Sequence, residues 1–421
     1  MTTQIQIKNG RVVDPKNRVD RIADVFLRGS RITAVGEAPA GFTPDRVIDA
    51  TGHVVCPGLV DLSARPGNLE SELSAAVAGG ITTVACAPDT QPPLDEPGLV
   101  ERLVRRSAAL GLARVVPVGA LTQGLAGERL AEMHSLSEAG CAAFSQAQRP
   151  VFDTQILSRA MQYAATFGFA VHLQPQDPYL SRDGIAHDGR FAASLGLAGI
   201  PVCAETIAIS TALRLAEMAG VQLHLGRLSS AAGVALVREA RRDGLNVSCD
   251  VAIHHLHLSE DDIAYFDSHA HFIPPLRAVE DRSALREAVA DGTAVLCSDH
   301  TPLDEDAKLL PFQDASPGAT AFELFLSLTL KWAEESGTPL RTALARLTCD
   351  PAAILGIDAG ELAVGHTADI CIFDPSEIWR VSTKTLRSDG KNTPFLDASL
   401  TGRVKTTLVD GRIVFESDPL G

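Results

Sequence analysis

The chain has 421 residues, 45% of them apolar, and a formal net charge of −15. That length suits one large core plus a smaller domain. The acidic balance argues against a nucleic-acid surface, which needs clustered Lys and Arg, and favours neutral or basic partner surfaces. The opening MTTQIQIKNGRVVD carries no basic stretch followed by an apolar one, and no run approaches the roughly 18 apolar residues of a membrane span. Both observations predict a cytoplasmic protein with no signal peptide and no membrane partner. The eight cysteines stand singly in apolar stretches such as VVCPG, VACAP and DICIF, without a CxxC pair. Buried free thiols in a reducing compartment fit that pattern better than a zinc knuckle or a redox motif.

Residues 1–54 read as short strands and turns: IQIKNGRVVD, ADVFLRGSRITAVG and RVIDATGHVVCPG, punctuated by Gly and Asn-Gly. Residues 361–421 repeat that texture in ADICIFDP and TGRVKTTLVDGRIVFESD. Each end is too short for a core, so the two are expected to meet in one small β domain. Across 55–360, eight apolar strand candidates alternate with longer helical patterns. In order they are GLVDLS, ITTVACAP, RVVPVGA, CAAFSQ, FAVHLQ, VQLHLGRLSS, NVSCDVA and AVLCSDHTP. This βαβα rhythm predicts an α/β fold with a parallel sheet and outer helices, most economically a TIM-type (β/α)8 barrel. A doubly wound sheet is the alternative. The number of strands and the polar residues at their C-terminal ends favour the barrel.

Several stretches together carry a resemblance over nearly the whole chain. They include CPGLVDL from 56, APDTQPPLD from 87, AFSQAQRP from 143, VHLQPQD from 171 and HLGRLSS from 224. CDVAIHHLHLSE from 249, IPPLR from 273, CSDHTP from 297 and KNTPFLDASLTGRV from 391 follow. In their order and spacing the chain resembles a dihydroorotase of the cyclic amidohydrolase family. The resemblance implies a barrel of the amidohydrolase kind flanked by a small β domain, and a one- or two-zinc site interconverting dihydroorotate and carbamoyl aspartate.

The zinc ligands do not follow. A hydrolytic zinc needs three or more protein ligands and an open position for water. The family's His-x-His after Asp61 is replaced by Ser63 and Ala64, and Arg65 is the remnant of its substrate-carboxylate arginine. The bridging acid falls at Gln146, and a later histidine falls at Arg227. His172 and Asp299 match a ligand and the catalytic aspartate. The substrate side departs as well, with Asp89, Ile273 and Leu303 where the family has asparagine, asparagine and histidine. Two surviving ligands cannot hold a hydrolytic zinc, so the resemblance implies vestigial positions Arg65, Gln146, His172, Arg227 and Asp299, with no metal and no other cofactor. HHLH at 254–257 and HAH at 269–271 could mark a relocated metal. The first pair coincides with histidines that are not ligands in the family, and the second is expected in a surface loop. His224 is expected to be a satisfied core histidine. The guanidinium of Arg227 is expected to enter the old metal centre and reach Asp299 and Gln146.

On this reading the chain is no enzyme. It most resembles the non-catalytic dihydroorotase-like chains that accompany bacterial aspartate carbamoyltransferase in pyrimidine biosynthesis. That resemblance implies dihydroorotase-like dimers joined to catalytic trimers in a 6:6 dodecamer. The alternatives are an active metal-dependent cyclic amidohydrolase with a remodelled site, and a regulatory module using the barrel mouth as a sensor pocket.

Overall fold

The computed structural model describes residues 3–417. Its barrel strands are β6 to β10 and β13 to β15, and the flanking sheets use the rest. In chain order the strands are β1 (Gln4–Asp14), β2 (Val19–Arg28), β3 (Arg31–Val35), β4 (Arg46–Asp49), β5 (Val54–Pro57) and β6 (Leu59–Ala64). Then come β7 (Ile81–Cys86), β8 (Arg114–Ala120), β9 (Ala143–Ser145), β10 (Ala170–Leu173), β11 (Ala186–His187) and β12 (Gly199–Ile200). The last six are β13 (Leu223–Leu225), β14 (Val247–Ala252), β15 (Val295–Cys297), β16 (Ile370–Arg380), β17 (Ser399–Val409) and β18 (Arg412–Glu416).

The eight strands anticipated from the sequence form one sheet in chain order from β6 to β15, parallel throughout. A parallel bridge between Ala64 and His300 joins the first strand to the segment after the last, and the Arg65 N–H donates to the His300 carbonyl at 2.9 Å. The sheet is thus a nearly closed (β/α)8 barrel and not a doubly wound one. Both faces of a barrel strand are covered, which is why β7 (ITTVAC) is buried along its whole length.

The helices show the complementary pattern. Ala231–Arg242 buries Gly233, Val234, Val237 and Ala240, a stripe at helical spacing. Its N-terminus is set by Ser230, whose hydroxyl accepts the Gly233 N–H at 3.0 Å. The second sheet draws on both chain ends. β5 lies at its centre, parallel to β1 and antiparallel to β16. Among the described residues no helix is long and apolar enough to cross a membrane.

Two details differ from the sequence reading. The HAH segment is not a surface feature: His271 is buried, stacked on Phe312, and its Nδ1 lies 2.8 Å from the Ala315 carbonyl. The chain around 306–316 folds back over it, a long-range cover that no local pattern announces. The thiols are also not uniformly buried. Cys203 is exposed and Cys349 half-buried, while the other six are inside.

Candidate active site at the barrel mouth

Strand ends bring Arg65, Arg227 and Asp299 together. Arg227 follows β13, and its position is fixed from behind: its N–H donates to Asp250 Oδ1 at 2.7 Å, and the next N–H, of Leu228, to the Asp250 carbonyl at 3.0 Å. His224 Nε2 holds the other Asp250 oxygen at 2.8 Å. Burial opposes charge on Asp250, but His224 and the Arg227 N–H hold its carboxyl below the ordinary range. His224 is therefore a partnered core histidine.

From this anchor the buried Arg227 side chain reaches across the mouth. Its Nη1 donates to Asp299 Oδ1 at 2.7 Å, and its Nη2 donates to Gln174 Oε1. Burial works against the guanidinium's charge, and Asp299 outweighs it, so Arg227 stays charged. Both partners sit in left-handed backbone, φ 57° at Arg227 and 49° at Asp299. Such a conformation costs a non-glycine residue about 1 to 3 kcal/mol and concentrates at functional positions.

Arg65 supplies a second cation. Its Nε donates to Asp89 Oδ2 at 2.8 Å and its Nη1 to the same Asp299 oxygen at 3.3 Å. Asp89 is thus already matched by an arginine instead of standing free to repel an anion. His172 lies in the same small cavity as Arg227, about 40 Å³, with its ring 4.7 Å from that of His224. Burial, reinforced by His224, pushes its pKa well down and keeps it neutral. His254 stacks on Phe272 at 4.0 Å, with Nε2 4.0 Å from Asp299 Oδ2. Burial and its neighbour His255 keep it neutral too.

Gln146 behaves differently from expectation: its Oε1 accepts from Thr122 Oγ1 at 3.0 Å, and Arg227 bonds Gln174 in its stead. Gln174 was legible in principle. It stands two residues after His172, and alternate strand positions share a face.

The mouth does not fit a hydrolytic zinc. Ser63 and Ala64 offer no imidazole, and a fixed guanidinium occupies Asp299. Among the described residues, the only three His, Cys, Asp or Glu donors within 4.8 Å of one another are those of Asp358, Glu361 and His366. They lie on the small-sheet side, where Lys16 already pairs with Glu361. What the mouth does offer is a carboxylate between two guanidiniums, two neutral imidazoles, and buried amide donors on Gln146 and Gln174 with no partner in the protein.

A nearly closed parallel barrel with ionisable groups gathered at its strand C-termini, flanked by a sheet from both chain ends, is the architecture of the amidohydrolases. L-hydantoinase (dihydropyrimidinase) from Arthrobacter aurescens superposes with a TM-score of 0.86 at 25% identity, covering 99% of this chain and 96% of that one. Residues 52–232 match the dihydro-orotase-like family model. A dihydroorotase-like protein of Pseudomonas aeruginosa is 43% identical over 98% of this chain and 99% of its own length. A dihydroorotase of Syntrophotalea carbinolica is 39% identical over 98% and 99%. The chain belongs to the dihydroorotase-like family.

These relatives overturn one expectation. The missing ligands predict a chain that is no enzyme, yet relatives aligned end to end bear the enzyme name dihydroorotase. The prediction does not stand. It equated absent zinc ligands with absent chemistry, whereas a mouth with Asp299, two guanidiniums and neutral imidazoles still offers acid, base and cation.

Proposed function

We propose that this dihydroorotase-like chain works in the cytoplasm as the assembly partner of aspartate carbamoyltransferase in pyrimidine biosynthesis, its dimers joining catalytic trimers in a 6:6 complex. The observation that carries the reading is the ion pair at the mouth. Arg227 and Asp299 bond to each other at the positions that the resemblance aligns with metal ligands, on a barrel that is otherwise intact. The resemblance to chains that accompany the transcarbamoylase supports the partner's identity. Arg65, Gln146, His172, Arg227 and Asp299 form the remodelled mouth, on a barrel spanning 55–360 between the small-domain segments 1–54 and 361–421.

The test is co-expression with the transcarbamoylase of the same organism, followed by sizing and rate measurements. A larger complex and a more active transcarbamoylase are expected. A transcarbamoylase of unchanged size and rate with and without the chain overturns the proposal. A second reading, hydrolysis of a cyclic amide at the remodelled mouth, is favoured by the names of the relatives. It is checked on the same preparations by following dihydroorotate, with Asp299→Asn as the variant that should abolish any rate.

A further inference from the structure

Beside the mouth, outside the ring of strands, lies a cavity of about 380 Å³ between the helix Pro97–Leu110 and the loop 89–94. Asp299, His172 and Arg227 are not part of its wall. Three arginines are: Arg65, Arg102 and Arg106. We propose that this cavity binds a phosphate monoester with an apolar or planar body.

Arg102 and Arg106 are one helical turn apart and so project from one face. Arg105, between them, is neutralised on the outside by Glu101 at 2.8 Å. Among the described residues no carboxylate pairs with either of the two that face the cavity. The single acid in the wall, Asp89, is matched by Arg65 Nε, and Arg65 Nη2 is buried with no partner in the protein. Like charges at this spacing destabilise a helix by a few tenths of a kcal/mol, so the pair is unfavourable until an anion joins it.

In a chain of net charge −15 this is a local reversal of sign, and it selects anions that the rest of the surface repels. Guanidiniums grip phosphate oxygens in a bidentate manner, and a monoester dianion can engage two of them. Thr90 and Gln91 also line the cavity, and its floor is apolar, with Leu94 buried and Leu99 and Leu103 packed on the core. A bare inorganic anion would leave that floor unused. The volume lies within the range of small-molecule clefts.

Calorimetric titration of the full chain with phenyl phosphate tests the assignment, with inorganic phosphate for comparison. One saturable site is expected, binding phenyl phosphate roughly tenfold more tightly than inorganic phosphate through the leucine floor. R102Q/R106Q should weaken it by at least about tenfold, while R105Q leaves it unchanged. All three arginines are exposed on one helix, so the variants should unfold at the wild-type temperature. No saturable heat up to about 10 mM ligand, or equal affinity of R102Q/R106Q and wild type, overturns the site. Equal affinity for phosphate and phenyl phosphate overturns the monoester class.

Discussion

Asp299 and His300 are adjacent after the same barrel strand, and their side chains finish in opposite surroundings. His300 turns outward to the helix Leu69–Ala78. Its Nδ1 accepts the Ala321 N–H at 3.0 Å, so its Nε2 carries the proton and donates to Glu72 Oε2 at 2.8 Å. Ser388 donates to the same oxygen at 2.6 Å, and the Asp389 N–H to the other at 3.0 Å. Phe322 stacks against the ring at 3.8 Å. Every polar atom of that pair is met within the chain. Around Asp299, buried polar atoms of Arg65, Asp89, Gln146, His172, Gln174 and His254 have no protein partner. A closed network holds a fold together, whereas convergent open polar atoms mark a surface completed by something from outside.

The contrast is most directly broken at Glu72. Glu72→Ala strands His300, Ser388 and the Asp389 N–H in the interior and should cost about 3 to 5 kcal/mol in urea unfolding. A loss under about 1 kcal/mol would mean that the closed network is not structural. At the mouth, Arg227→Ala removes the main partner of a buried carboxylate. Arg65 stays 3.3 Å from Asp299, so the loss should sit near the low end of that range, about 3 kcal/mol. Arg65→Ala, at a more exposed position, should cost about 1 to 2 kcal/mol, and the reverse order would refute the assignment of Arg227 as principal counter-ion. His172→Leu removes a group whose Nε2 already lacks a partner. It should change stability by no more than about 1 kcal/mol; a larger loss would place His172 with the structural histidines.

The comparison is also sharpened through pH. Asp61 lies inside β6, and burial, opposed by its hydrogen bonds from Ser298, pushes its carboxyl from 3.8 up to about 7. The folded chain therefore binds this proton more tightly than the unfolded one. The contribution is full below about pH 4 and is lost as pH rises towards 7. Asp61→Asn cannot ionise and should flatten the stability profile in that window. A slope identical to wild type would remove Asp61 as its source.

The strands were legible in the sequence because each is a short apolar run ending in polar residues, a pattern that burial on both faces imposes. Arg227 and Asp299 were legible through their alignment with a ligand and an aspartate, and their pairing followed from a buried carboxylate's need for a cation; only the geometry puts Gln174, not Gln146, on the other side of Arg227. Glu72 was not legible. A glutamate in ESELSAAVAG reads as a solvated helix position, and only the fold shows that it faces a histidine 228 residues later. In the segment SDHTP the alignment points to the aspartate, and no local pattern marks the neighbouring His300 as the residue that ties the barrel shut. The burial of His271 depends on a loop returning from elsewhere in the chain, and local pattern carries no trace of that.

The central place of β5 in the second sheet bears on how the chain is made. On one side β5 pairs with β1, both synthesised early; on the other it pairs with β16, which begins at Ile370. While the barrel emerges from the ribosome, the β16-facing edge of β5 has no partner, and contacts of such sequence separation are slow to close. An open edge of VVCP on a growing chain is a site for mispairing with another copy. The strand β16 therefore acts as a covering strip, and a chain cut before it would carry a barrel with a sticky flank.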